Sequence, residues 1–222
     1  MTGSKKPVRV VAVNGSPRKN WNTHTLLRHA LDGAKSVGAE ADEIVNLYAL
    51  SYRGCASCFN CKLKGVEHGG KCAIRDDLTE VLDRIMASDM LLLGSPVFLG
   101  DVTGGMRSFI ERLVFMNLAY RHEDRSYFKG RISTGFIYTM NRSVERMKSA
   151  GYEYLFKNFT EYLAFLNGTT EYMTVHETYQ FDDYSKYEYS LCDPVERGRL
   201  RDERFPADCG RAFEMGARLA KS

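Results

Sequence analysis

A run of small and β-branched apolar residues, Val8, Val10, Val11, Ala12 and Val13, passes through Asn14-Gly15-Ser16-Pro17-Arg18-Lys19-Asn20-Trp21-Asn22-Thr23-His24-Thr25 into Leu26, Leu27, Ala30, Leu31 and Ala34. An apolar run without polar relief reads as a strand covered on both faces, and spacings of three and four make one face of a helix. The loop between them sets free backbone N–H groups at the positive end of the helix dipole, beside the hydroxyls of Ser16, Thr23 and Thr25 and the guanidinium of Arg18. Such a setting holds a phosphate dianion. The same residues also compose an ordinary Ser/Pro/Asn turn with an Asn22 or Thr23 helix cap, which binds nothing. Neither Gly-x-Gly-x-x-Gly nor Gly-x-x-x-x-Gly-Lys-Ser/Thr occurs, so Rossmann and Walker-type loops lose support.

The 222 residues are 44% hydrophobic, enough for one substantial core and one α/β domain over 1–222. The pattern predicts strands over Ala39–Asn46, Met90–Gly94, Ile132–Met140 and Glu171–Gln180 in addition to the first. Helices are predicted from Asp76-Asp77-Leu78 through Met86, over about Gly104–Leu118, over Ser143–Leu166 with a weak point at Gly151, and over Cys209–Ala220. Ser95–Gly100 reads as a loop leaving the carboxyl end of its strand, where ligands bind in open α/β sheets. Strands alternating with helices argue for a parallel sheet. Residues 51–75 form a cysteine-bearing loop, and 182–206 a polar excursion reaching over a neighbouring subunit.

With 31 basic and 28 acidic residues, neither nucleic acid nor a membrane surface is an expected partner. The amino-terminal residues lack a signal-peptide core, and the apolar stretch Met90–Gly100 is too short to span a bilayer, so a cytoplasmic protein is expected. Six cysteines, four of them within eighteen residues, point in that compartment to a metal, cluster or redox role rather than to disulfides.

Gly15-Ser16-Pro17-Arg18, Asn22-Thr23 and Thr25-Leu26-Leu27 resemble the FMN-phosphate loop of the flavodoxin-like NADPH-dependent FMN reductases, including the iron-sulfur flavoproteins. Asn20 and Trp21 stand where that family usually has glycines, and Trp21 is expected to lie against the ligand or close the site. Ser95-Pro96-Val97-Phe98-x-Gly100, followed by Gly105-Met106-Arg107-x-Phe109-Ile110-Glu111-Arg112, resembles the family's second loop, which runs along the isoalloxazine ring with an aromatic at the Phe98 position. Taken singly, either motif is a strand-end turn; two at one end of one sheet favour binding. Thr139-Met140-Asn141 stands where the family commonly has a glycine-rich turn at the pyrimidine side, and beyond it the resemblance fades.

The resemblance implies a flavodoxin-like three-layer sandwich with a five-stranded parallel sheet of order 2-1-3-4-5 and FMN as cofactor. It implies FMN contacts from Ser16, Arg18, Asn22, Thr23, Thr25, Ser95, Pro96, Val97, Phe98, Gly100, Thr139 and Asn141. No catalytic side chain is called for, because flavin N5 carries the chemistry. The expected function is an FMN-dependent oxidoreductase, moving electrons between NAD(P)H or a protein carrier and a flavin, quinone or iron-sulfur-linked acceptor. A homodimer or higher homo-oligomer is expected with it. The alternative is a non-enzymatic metal- or thiol-based sensor on the same scaffold.

In Cys55-x2-Cys58-x2-Cys61-x10-Cys72, two residues between successive thiols allow three to converge from one turn, as in bacterial iron-sulfur sites; zinc sites more often use two separated pairs. The iron-sulfur flavoproteins resemble this region in a compact cysteine motif followed by the Asp76-Asp77 pair, although their fourth cysteine usually lies nearer the third. Gly65, Gly69 and Gly70 would let the chain loop back. A [4Fe-4S] cluster on Cys55, Cys58, Cys61 and Cys72 and a set of reduced thiols beside a flavin are both open. Cys192 and Cys209 read as small buried hydrophobes, His24 as a solvated first-turn side chain, and the tyrosines from Tyr152 to Tyr189 as packing, an aromatic lid or a subunit contact.

Overall fold

A computed structural model describes residues 6–64 and 71–222. Gly65, Gly69 and Gly70 lie outside the described residues. Successive side chains of a strand point to opposite faces, and here both faces are apolar. Val11 and Val13 of β1 (Arg9–Asn14) join Leu91 and Leu93 of β4 (Met90–Phe98) and Phe136 and Tyr138 of β6 (Ile132–Thr139) on one face. Val10 and Ala12 join Met90, Leu92 and Ile137 on the other. Helices α2 (Leu78–Met86), α3 (Gly104–Asn117) and α5 (Glu153–Leu163) cover the first face, and α1 (Asn22–Ser36) with α6 (Pro194–Leu219) covers the second. That double cover is why the strands carry no polar alternation.

Among the described residues the sheet has seven strands, five of them on a path that starts at β2 (Glu40–Ala41), runs β2-β1-β4-β6-β7 and ends at β7 (Asn167–Val175); all pairings on the path are parallel. The single strand expected over Ala39–Asn46 is two short pieces, β2 (Glu40–Ala41) and β3 (Val45–Asn46), both paired with β1 and separated by the charged Asp42 and Glu43. Taking these two as one, and setting aside the small β5 (Asp101–Val102), recovers the order 2-1-3-4-5.

Four boundaries differ from expectation, each for a tertiary or local reason. Ser95–Phe98 is not a loop but the end of β4, because Leu99 (φ 52°) and Gly100 (φ 88°) turn the chain back to pair β5 antiparallel. The helix over Ser143–Leu166 splits into α4 (Val144–Ser149) and α5, with Gly151 at φ 72° between them. The fifth strand begins at Asn167 rather than Glu171 and stops at Val175, since its partner β6 ends at Thr139. The closing helix begins at Pro194, not Cys209, so much of the polar excursion is the first half of α6. Asp193 caps it by accepting from Val195 N–H at 2.9 Å, and Pro194 occupies the first turn. Among the described residues no helix is long and apolar enough to cross a membrane.

Candidate functional site

At the carboxyl ends of β1 and β4, one threonine joins the two loops. Thr103 is fully buried. Its hydroxyl donates to Gly15 O at 2.6 Å and accepts from Met106 N–H at 3.2 Å, capping α3, while its own N–H donates to Ser95 Oγ at 3.1 Å. Gly15 N–H donates to Gly94 O at 2.8 Å. A Cβ on Gly15 would stand 2.8 Å from the Met106 side chain, so glycine is what allows this approach. Asn20 adopts φ 63°, the left-handed region that asparagine tolerates better than most residues, and so substitutes for a glycine there.

The cavity above this joint, about 160 Å³, gathers Ser16, Arg18, Asn22 and Thr23 from the first loop, Pro96, Val97 and Phe98 from β4, and Thr139 and Asn141 from beyond β6. The Thr23 and Thr139 hydroxyls are 2.8 Å apart. Arg18 is the only charged side chain among the described residues lining it. The first-turn amides of α1 have no intrahelical acceptor, as at any helix start. One wall therefore suits a phosphate, and the apolar wall of Pro96, Val97 and the half-exposed Phe98 suits a flat ring. The residues fit FMN.

Three predicted contacts lie outside this wall. Thr25 sits half-buried farther along α1. The Ser95 hydroxyl donates to Pro96 O at 2.9 Å and is held by Thr103, so it shapes the strand end. Gly100 forms the hairpin turn beside Tyr152. Thr178, Tyr179 and Gln180, which sequence reasoning placed in a strand, line the cavity instead. No local signal marks them, because their position depends on where β6 ends.

His24 is nine-tenths buried rather than solvated, and its Nδ1 has no hydrogen-bond partner among the described residues. Burial pushes its pKa down; a bond with Asn46 opposes, and the Arg28 and Lys19 charges add to the lowering. A lowered histidine pKa favours the neutral form in the fold. The stability this contributes is complete above the unfolded value of about 6.5 and is lost as pH falls toward the folded value. Melting temperature should therefore drop on acidification through this window, and His24→Gln should flatten the drop. An unchanged slope would remove His24 from the acid response.

The cysteine loop lies along α3. Tyr52 OH donates to Gly105 O at 2.7 Å, and the Lys62 ammonium reaches the Phe115 and Leu118 carbonyls at the helix's carboxyl end. All four loop cysteines are free; Cys58 is exposed, and Cys55, Cys61 and Cys72 are half-buried. Burial pushes the Cys61 thiol up, with Lys62 opposing and Cys72 reinforcing. Among the described residues no three His, Cys, Asp or Glu side chains come close enough to hold a metal ion. The thiol chemistry suits an iron-sulfur cluster, but the arrangement of Cys55, Cys58, Cys61 and Cys72 does not fit one. Of the remaining two, Cys209 is a buried hydrophobe as expected, whereas Cys192 Sγ lies 2.9 Å from both Tyr189 OH and Arg197 Nε.

Comparison with known proteins agrees with this geometry. An iron-sulfur flavoprotein of Methanocaldococcus jannaschii is 34% identical over 105 residues, 47% of this chain and 51% of that protein. One of Archaeoglobus fulgidus is 33% identical over 130 residues, 59% of this chain and 54% of its own. The chain thus spans about half the length of the curated relatives it matches. In fold it is similar to an NAD(P)H:quinone oxidoreductase from Methanothermobacter marburgensis, with a TM-score of 0.68 and 14% identity over 96% of this chain and 98% of that one. The sequence profile of the NADPH-dependent FMN reductases matches residues 8–150, which hold both loops of the pocket and the cysteine loop between them. On that match and the flavodoxin-like sheet beneath it, the chain belongs to the NADPH-dependent FMN reductase family.

Proposed function

We propose that this chain is an FMN-dependent oxidoreductase, taking electrons from NAD(P)H or a protein carrier and passing them to a flavin, quinone or iron-sulfur-linked acceptor. The observation that carries the reading is a cavity with one cation at its phosphate-loop end and an apolar wall opposite. When bound, the flavin supplies hydride acceptance at N5 and can also pass electrons singly. The protein's part is to hold and shield it. The first-turn amides of α1 and Arg18 neutralise the phosphate, Thr103 keeps the two loops in register, and Pro96, Val97 and Phe98 keep water from one ring face. Phe98 and the fully exposed Leu99 also form an apolar hairpin tip beside the pocket, and a second copy packed there would complete the cover.

Arg18→Ala should weaken FMN by about 10- to 100-fold, the worth of a charge-assisted hydrogen bond, and change riboflavin binding little. Equal losses for both flavins, read by fluorescence titration, would reject Arg18 as the phosphate anchor. A visible spectrum without flavin absorbance after FMN supplementation would instead favour the sensor alternative. A [4Fe-4S] cluster on Cys55, Cys58, Cys61 and Cys72 would require the loop to draw these thiols closer together than they stand. Anaerobic iron and sulfide analysis beside flavin content decides it.

A further inference from the structure

The segment after β7 lines the candidate flavin pocket and is pinned on both sides. On the phosphate-loop side, Trp21 Nε1 donates to Tyr179 O at 3.2 Å, Asn22 Nδ2 donates to the same carbonyl at 2.8 Å, and the Arg18 guanidinium donates to Gln180 O. On the opposite side, Asn141 Nδ2 donates to Gln180 Oε1 at 2.6 Å and to Tyr189 OH at 2.7 Å. From above, Tyr184 OH accepts from Gln180 N–H at 3.0 Å. Phe181, Tyr184, Tyr187 and Tyr189 pack ring on ring behind these contacts, with centroids 4.1–5.6 Å apart, which stiffens the segment.

Trp21 is the centre of the phosphate-loop side. Its indole has Arg18 and Arg201 near it, with guanidinium carbons 5.8 and 5.9 Å from the ring centroid, and Arg201 also donates from α6 to Asn22 Oδ1. Two cations near one ring, plus the N–H bond to Tyr179, fix the indole as a post against which the segment rests. The cavity below, about 160 Å³, is smaller than the roughly 300–1,000 Å³ usual for a ligand of this size. A flavin lying wholly inside it would require a wall to move. Ser16, Thr23 and Pro96 sit on the sheet's own strand ends and helix start, whereas the 178–180 segment is held to the rest of the wall by hydrogen bonds that can open singly.

We propose that Trp21 and the Tyr179–Gln180 backbone form a clasp that gates the pocket, so that FMN enters and leaves only when the Trp21–Tyr179 contact opens. The proposal rests on the flavin reading of the pocket. Trp21 acts through the strap and not on the reacting atoms, so it is a positioning residue. A gate differs from an ordinary contact with the ligand, because opening it raises the rates of entry and exit together.

The test measures FMN association and dissociation rates by stopped-flow flavin fluorescence in wild type, Trp21→Phe, Trp21→Gly and Tyr184→Phe. Trp21→Phe keeps a ring between the arginines and loses the N–H; Trp21→Gly loses both; Tyr184→Phe releases the strap without touching the phosphate loop. Trp21→Gly should raise both rates about tenfold, the scale of one hydrogen bond and a cation–π contact, leaving the dissociation constant nearly unchanged. The other two variants should fall between. Amide exchange of residues 178–181 should quicken in the same order in protein with no FMN added. Because Trp21 is the only tryptophan, its own emission should shift as the strap opens. FMN that binds with exit faster and entry unchanged, or with neither altered, overturns the clasp. Wild-type protein that takes up no FMN overturns the flavin reading, and the gate with it.

Discussion

Arg112→Ala is expected to destabilise the fold by about 3–5 kcal/mol, the range for leaving one member of a buried ion pair without the other. The Arg112 side chain is wholly buried on α3 and meets both oxygens of Asp76 at 2.6 and 2.7 Å. The same guanidinium donates to Arg53 O at 3.3 Å and Ile74 O at 3.2 Å. These are the two stems of the cysteine loop, each two residues from a cysteine, Cys55 on one side and Cys72 on the other. Removing the arginine strands a carboxylate and releases both stems. Urea unfolding should show the loss, and thiol labelling at Cys55 and Cys72 should quicken while that at Cys209 does not. Replacing Arg112 by methionine together with Asp76→Asn should recover part of the stability, because no unpaired charge is then left inside.

The same pair predicts a pH response. Burial alone would push the Asp76 carboxyl up, but the Arg112 hydrogen bond, the Arg53 and Leu78 amides and the arginine's charge outweigh it and hold the pKa below the usual carboxylate range. A depressed acid pKa contributes stability that is present above about pH 4 and is lost as pH falls through the folded value. Arg112→Ala should therefore also shrink the acid-side fall in stability. A variant as acid-sensitive as wild type would show that other groups set it.

The second large effect is expected where α1 crosses α6. A Cβ on Gly33 would stand 1.9 Å from Phe213 O, and one on Gly216 would stand 1.8 Å from Ala30 O. Both obstacles are backbone, so neither can rotate away and the helices must separate. Gly33→Ala or Gly216→Ala should each destabilise by about 1–3 kcal/mol despite alanine's better helix propensity. The double variant should lose less than the sum, since one alanine already lifts the helix for the other. Gly198→Ala and Gly210→Ala on the same helix meet nothing within 4 Å among the described residues and should stabilise slightly, by up to about 1 kcal/mol. Because α6 carries Arg201 to Asn22 and the Trp21 ring, the crossing variants should also quicken FMN entry and exit. Unchanged stability in both would mean that the helices are not in backbone contact.

What the sequence determined by itself is the part governed by neighbours a few residues away. β1, α1, α2, α3 and β6 are legible because burial repeats at the period of one element, and the phosphate loop is legible because helix-start chemistry is local. Even the missed beginning of α6 was written locally, in Asp193-Pro194, although the polar run around it masked Leu200 and Phe205. Tertiary structure decided everything that joins distant residues. The pairing of Arg112 with Asp76, the backbone contact of Gly33 with α6, and the burial of His24 depend on how layers stack. Glu171–Gln180 reads as one strand, yet it divides at Val175 because a strand lasts only as long as its partner. The five residues beyond are left to reach Asn141, Arg18 and Trp21 across the pocket, a destination set by the length of β6 rather than by any property of their own.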